Sequence, residues 1–289
     1  MNIILGATGQ VGSAIVEHLI EKGLPVKAVI RNEEKADWLK GKGAEVIIAD
    51  YFDLGALKSA LKDGKLLFVL TPEDVTSNDV LGETKELLDN YHKAVKESGI
   101  RSLIGLSSIG AQFESGTGNL LMSNMLEKRF IDLDINKVFV RPAYYYSNWA
   151  MSLDMVKENG MLPSFYPTDM KFNMISPNDV AKFIAEKIRK GVDRSETIEI
   201  VGPNEYSAND IAESMGKAIG QEVNTFEIPK SDWGKTMKSI GFSDNATKNF
   251  VEMTDLVAKG KAEPEGKGEN PIYLNTTFDR YLNDYLNGL

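Results

Sequence analysis

The chain has 289 residues, 42% of them hydrophobic and 26% charged, as in an ordinary soluble globular protein of one large domain or a domain plus a smaller lobe. A net charge of −9 speaks against a dedicated nucleic-acid surface, and no apolar run approaches the ~18 residues of a membrane span. The absence of cysteine excludes disulfides and thiolate catalysis, and His18 and His92 lack metal-ligand spacing, so no metal is expected.

Residues 2–5 read as a short buried strand. Gly6-Ala-Thr-Gly-Gln-Val-Gly12 follows directly and runs into a helix over 13–22 that stops at Gly23. Gly6 permits a sharp turn off the strand, Gly9 lets the backbone approach a pyrophosphate, and Gly12 lets the helix pack closely on a sheet. The helix N-terminus then offers free N–H groups to phosphates. Between a strand and a helix, this is a dinucleotide-binding signature with Gly6, Thr8, Gly9, Gln10, Val11 and Gly12 as its contacts. A strand from residue 2 leaves no room for a signal peptide, and the expectation is a cytoplasmic protein.

Strand and helix signals then alternate: strand 25–30, helix 33–42, strand 44–49, helix 54–62. Residues 66–70 are continuously apolar, as in a strand buried on both faces. The stretch 80–97 carries Leu87, Leu88, Tyr91, Ala94 and Val95 at helical spacing. Strands at 102–106 and 137–140 flank a helix near 120–131. The series predicts an α/β fold, a Rossmann-type doubly wound parallel sheet that binds ligands at the carboxyl ends of its strands.

The pattern changes after about residue 143. An aromatic cluster at 144–149 precedes a short helix and a loop over 160–172, then a helix over 179–190 and a strand over 197–201. Ser207 caps a helix through Ile219, with Asp210 three residues on. The polar stretch 260–270 reads as a flexible loop, and a last helix over 279–286 packs back. The expected organisation is a dinucleotide-binding domain over 1–150, to which 173–201 returns. A smaller C-terminal α+β substrate lobe is built from 151–172 and 202–289.

An acidic residue after the second strand would hold the ribose hydroxyls of NAD. Here Arg31 stands there, and a guanidinium pairs with a 2′-phosphate, so NADP(H) is favoured over NAD(H), with Lys35 adding to the patch. Asp50 is placed either to meet the adenine or to serve the helix that begins near Asp53. Thr71 and Pro72 should border the middle of the cofactor. Ser107 and Ser108 should lie near the nicotinamide, touching the carboxamide or a substrate carbonyl, or capping the local turn. Tyr144, Tyr145, Tyr146, Trp149, Phe165, Tyr166 and Phe172 either form a flat pocket above the nicotinamide or pack as ordinary core.

These residues bring the chain close to a known group. It resembles the NmrA-like branch of atypical short-chain dehydrogenases/reductases, above all its bacterial NAD(P)H-dependent quinone-reductase and triphenylmethane-reductase-like members. The matching pieces are 6–12, Val29-Ile-Arg31, Asp50 with an aromatic and Asp53, Ser107-Ser108, Arg141-Pro142-Ala143-Tyr144 with Asn148, Ser176-Pro-Asn-Asp-Val-Ala181 and Val201-Gly-Pro203. The resemblance implies cofactor contact at Pro142, a substrate pocket that includes Tyr144, Tyr145, Asn148, Trp149, Phe165 and Phe172, and catalytic candidates Ser107 and Tyr144.

One departure matters. Short-chain dehydrogenases use a Tyr-x-x-x-Lys pair, and no tyrosine here has a lysine four residues later. The Lys-x-x-x-Glu arrangement of the NmrA-like branch retains only its glutamate, Glu127, with Ser123 at the lysine position and Lys128 pointing elsewhere. The reading that follows is an NAD(P)H-dependent oxidoreductase passing hydride to a quinone-like or other conjugated small molecule, whose stabilised anion water can protonate. A non-catalytic NADP(H)-binding sensor acting on a protein partner is the alternative. A nucleotide-sugar epimerase or dehydratase needs the missing base. No nucleic acid or membrane partner is expected, and a homodimer is left open.

Overall fold

A computed structural model describes residues 1–288. The first half alternates as β1 (Asn2–Leu5), α1 (Gln10–Glu21), β2 (Val26–Ile30), α2 (Ala36–Lys42), β3 (Glu45–Ile48), α3 (Leu54–Ala60), β4 (Leu66–Leu70), α4 (Val80–Lys96), β5 (Ser102–Leu106), α5 (Leu120–Arg129) and β6 (Asn136–Pro142). Then come β7 (Tyr144–Tyr145), α6 (Ser147–Ala150), α7 (Leu153–Asn159), β8 (Met161–Ser164), β9 (Phe172–Ile175), α8 (Pro177–Lys190), β10 (Glu196–Val201) and β11 (Glu205–Tyr206). The chain closes with α9 (Ala208–Ile219), β12 (Asn224–Glu227), α10 (Lys230–Ser239), α11 (Asp244–Ala258), β13 (Ile272–Tyr273) and α12 (Phe278–Leu286).

Eight strands form one parallel sheet in the order β13-β10-β6-β5-β4-β1-β2-β3. Side chains alternate across it because a strand has a period of two. Leu66 and Phe68 of β4 join the core under α1, α2 and α8, while Leu67 and Val69 join the core under α3, α4 and α5. Both faces are therefore covered, which is why β4 is apolar without interruption. The strand order reverses between β1 and β4, and such a switch point opens a crevice beyond the carboxyl ends. A third core gathers Tyr146, Trp149, Leu153, Phe172, Tyr206, Met215 and Phe278.

Three local readings change. The stretch expected as loop over 160–172 contains β8, which pairs in parallel with β12 and buries Leu162 and Ser164. The segment 230–258 forms two helices, α10 and α11, that the sequence reading did not anticipate. The polar stretch 260–270 has neither helix nor strand, but it is fastened: Glu265 and Gly266 donate backbone N–H groups to Glu199, and Asn270 bonds the backbone of β10. Ser207 and Asp210 form a complete reciprocal capping box at α9.

Candidate active site

The glycine turn leaves β1 with Gly6 at φ +63, a conformation that favours glycine. A Cβ on Gly12 would stand 2.2 Å from the Gly6 carbonyl oxygen, so helix and turn touch backbone to backbone. The turn is stapled from the far side: Gly6 N–H donates to the Tyr51 hydroxyl at 2.6 Å, and that hydroxyl donates to Val29 O at 3.1 Å. Gly9 caps α1 without a side-chain acceptor, and the first turn holds no acidic residue. The helix end is thereby left free to receive an anion. Lys35 Nζ donates to Thr8 O at 3.2 Å, which brings a cation onto the same turn. This cradle suits the pyrophosphate of a dinucleotide.

Beside the turn, Arg31, Asp50, Phe52, Pro72, Asp74 and Thr84 help to line a hollow of about 190 Å³. It lies at the carboxyl ends of β2 and β3. Asp50 accepts the Phe52 N–H at 3.0 Å, and the cap of α3 is made instead by Asp53, which accepts from Gly55 and Ala56. Of its two expected roles, the helix-capping one falls to its neighbour. Asp74 is held below the usual carboxylate range by hydrogen bonds from Thr76, with the Arg31 charge adding to the effect.

A second cavity, of about 350 Å³, opens at the carboxyl ends of β4, β5 and β6. Thr71, Ser107, Ser108 and Pro142 form its sheet side, and Tyr144, Tyr145, Asn148, Tyr166 and Phe172 its aromatic side. Tyr144 meets Tyr166 and Phe172 edge-on at centroid distances of 5.8 and 5.4 Å. Burial pushes the Tyr144 phenol up to about 12 although Tyr166 and Asn148 bond it, so it is neutral at pH 7. Glu73 and Glu263 also line the wall, and burial raises both carboxyls above their ordinary range. Among the described residues, no lysine, arginine or histidine lines this cavity.

Ser107 leads from the cavity into a charged network. Its hydroxyl donates to Glu127 Oε1 at 2.5 Å. Glu127 receives two guanidinium bonds from Arg141, Nε to Oε1 at 2.8 Å and Nη2 to Oε2 at 2.7 Å. Arg141 Nη1 reaches Glu265 at 2.7 Å and lies 3.7 Å from Glu199. Desolvation opposes the Arg141 charge, yet the paired carboxylates outweigh it and raise its pKa. Lys128 instead pairs with Glu114 at 2.8 Å.

Gly6 to Gly12 and Lys35 thus converge on one turn, while Arg31, Asp50 and Pro72 line the smaller hollow. Thr71, Ser107, Ser108, Pro142, Tyr144, Tyr145, Asn148 and Phe172 converge on the larger cavity. Three expected wall residues do not, and one of them, Tyr146, is fully buried against Tyr206 and Phe278. Trp149 is 4% exposed and packs in the third core against Tyr144 and Tyr166. Phe165 packs edge-on against Trp233 and Phe250 of α10 and α11. All three rings are used up by packing. Ser123, at the position where a lysine was looked for, also lines the cavity, and among the wall residues the sequence reading missed are Glu73, Met170, Asn173, Met253, Val257, Ala262 and Glu263. Met253 and Val257 one helical turn apart on α11 were the available signal.

His18 and His92 bond Asn178 and Asp132, and no cluster of metal-ligating side chains occurs among the described residues. No helix among them is long and apolar enough to cross a membrane.

The profile of the NmrA-like family matches residues 2–282. The NAD(P)H azoreductase of Xenophilus azovorans is 24% identical over 260 residues, 89% of this chain and 87% of that protein. Quinone oxidoreductase 2 of Escherichia coli is 26% identical over 263 residues, 90% of this chain and 89% of that protein. The crystal structure of an NADPH-dependent quinone oxidoreductase of Escherichia coli complexed with NADPH has the same fold. Its TM-score is 0.81 at 24% identity, covering 99% of this chain and 100% of that one.

Proposed function

The chain belongs to the NmrA-like family, and from that premise we propose that it is an NAD(P)H-dependent oxidoreductase that passes hydride to a quinone-like or other conjugated small molecule. The observation that carries the reading is the aromatic-walled cavity at the carboxyl ends of β4, β5 and β6, on the same sheet edge as the glycine turn. The bound dinucleotide would supply the hydride. The protein's part is to hold two flat partners face to face. The lack of any cation in the cavity wall supports an acceptor whose reduced anion is stabilised by its own conjugation, since no lysine stands ready to lower the pKa of Tyr144. The substrate contacts assigned here are Tyr144, Tyr145, Asn148 and Phe172, with Ser107, Ser108 and Pro142 beside the nicotinamide.

NADPH oxidation by the purified protein against small quinones, azo dyes and enones, with NADH in parallel, tests this reading. Turnover on at least one of these acceptors is expected. Firm NADPH binding with no turnover on any of them would replace the reading with that of a dinucleotide sensor.

The preference for NADP(H) over NAD(H) is assigned to Arg31, with support from Lys35. Arg31→Asp should weaken NADPH binding about 10- to 100-fold, the worth of one or two charge-assisted hydrogen bonds, and spare NADH. Fluorescence titration with both cofactors reads the change. If the affinity for neither moves, the preference lies elsewhere.

A further inference from the structure

We infer that Ser107 presents only a hydrogen-bond acceptor to the cavity, so that the group recognised there carries an N–H or O–H. The inference rests on the dinucleotide-binding reading above. A serine hydroxyl has one proton and two lone pairs. The proton of Ser107 is committed to Glu127 Oε1 at 2.5 Å. Glu127 cannot return it, because each of its oxygens already accepts an Arg141 N–H, at 2.8 and 2.7 Å. A carboxylate so gripped is an acceptor alone. The backbone around Ser107 is equally fixed, with its N–H on Val140 O at 2.8 Å. Ser108 turns its own proton away to Ile109 O at 3.0 Å. What the two serines offer a bound molecule is therefore oxygen lone pairs.

This polarity reverses the role expected for a serine at the end of β5. A ketone or quinone oxygen finds no donor at Ser107 and is repelled by its lone pairs. A primary carboxamide finds a partner, as does an acceptor molecule bearing N–H or O–H. Ser107 also has no proton to release to a reduced product. Glu127 and Arg141, which do not line the cavity, act as positioning residues that set the direction of this hydrogen bond.

The test uses two ligand pairs that differ in one donor. The first is NADP+ and its 3-acetylpyridine analogue, in which the carboxamide becomes a methyl ketone. The second is a hydroxynaphthoquinone and its methyl ether, titrated onto the protein already holding NADP+. Binding is measured for the wild type, Ser107→Ala and Ser107→Thr, with thermal melts to check folding. In at least one pair the wild type should favour the N–H or O–H ligand about tenfold, the order of one well-placed hydrogen bond. Ser107→Ala should abolish the gap by weakening that ligand alone, and Ser107→Thr should restore it. A gap in the first pair assigns the donor to the carboxamide, and a gap in the second assigns it to the acceptor. If dinucleotides bind but Ser107→Ala leaves every gap intact, or weakens both members of a pair equally, the inference fails and the reductase reading stands. If neither dinucleotide binds, both fall together.

Discussion

Arg141→Met should destabilise the fold by about 3–5 kcal/mol, the usual cost of stripping a buried ion pair of one partner. The side chain of Arg141 is 7% exposed and faces Glu127, Glu199 and Glu265, with Glu199 only 1% exposed. Methionine would fill much of the volume but supply no charge and no N–H. Glu199 would keep its two backbone donors from Glu265 and Gly266, and Glu127 would keep only the Ser107 hydroxyl. Urea unfolding at neutral pH reads the loss as a lower midpoint. Adding Glu127→Gln to Arg141→Met should recover part of it, because one of the stranded charges is then gone. A midpoint that hardly moves in Arg141→Met would mean that water reaches the cluster and screens it. The same substitution releases Glu265 from one of its two cations. Lys267 and Arg141 together hold that carboxyl below its ordinary range, so its contribution is present at neutral pH and is lost as pH falls through the depressed value.

Gly12→Val should abolish measurable dinucleotide binding, a loss of at least about a hundredfold, while costing about 1–3 kcal/mol of stability from overpacking. The contact that forbids a side chain is with backbone, 2.2 Å to the oxygen and 2.8 Å to the carbon of the Gly6 carbonyl, so no rotamer change relieves it. The turn has little room to retreat. Gly6 is pinned by Tyr51, and Tyr51 by Val29. Either helix α1 moves off the sheet or the turn opens, and both spoil a cradle shaped for a pyrophosphate. NADPH titration alongside a thermal melt separates the two effects. A folded variant that binds NADPH like the wild type would remove the glycine turn from the site.

The sheet was legible in the sequence because each of its signals is local. The glycines at 6, 9 and 12 lie within one turn of chain, and the strands β1, β2, β4 and β5 are short apolar runs between helices of clear period. The cavity was legible only in part because its wall is assembled from distant segments. Thr71 and Ser107 follow from the rule that strand ends carry the site, Pro142 follows from the family resemblance, and all three line the cavity. Among the aromatics, composition could not tell walls from core: Tyr144 and Tyr145 face the cavity, while Tyr146 is packed against Tyr206 and Phe278. Helix α10 buries only Trp233 and Met237 and has Gly234 between them, so its periodic signal is faint. The Ser107–Glu127–Arg141 chain escaped altogether, since nothing in the spacing of 107, 127 and 141 announces a contact. The parallel sheet, which sets β5 beside β6, brings those residues together.

The last thirty residues of the chain bear on how such a protein can be divided. Segment 261–270 gives Ala262 and Glu263 to the cavity wall and Glu265 to Arg141. Strand β13 then joins the edge of the large sheet, and Thr276 bonds Asp179 in the first turn of α8. Helix α12 comes to rest in the third core through Phe278 and Leu282. A chain ending near residue 260 would thus surrender a wall, a counter-ion, a sheet neighbour and a core contact at once. The cavity wall is not a self-contained module, because its residues come from segments spread from Leu70 to Glu263.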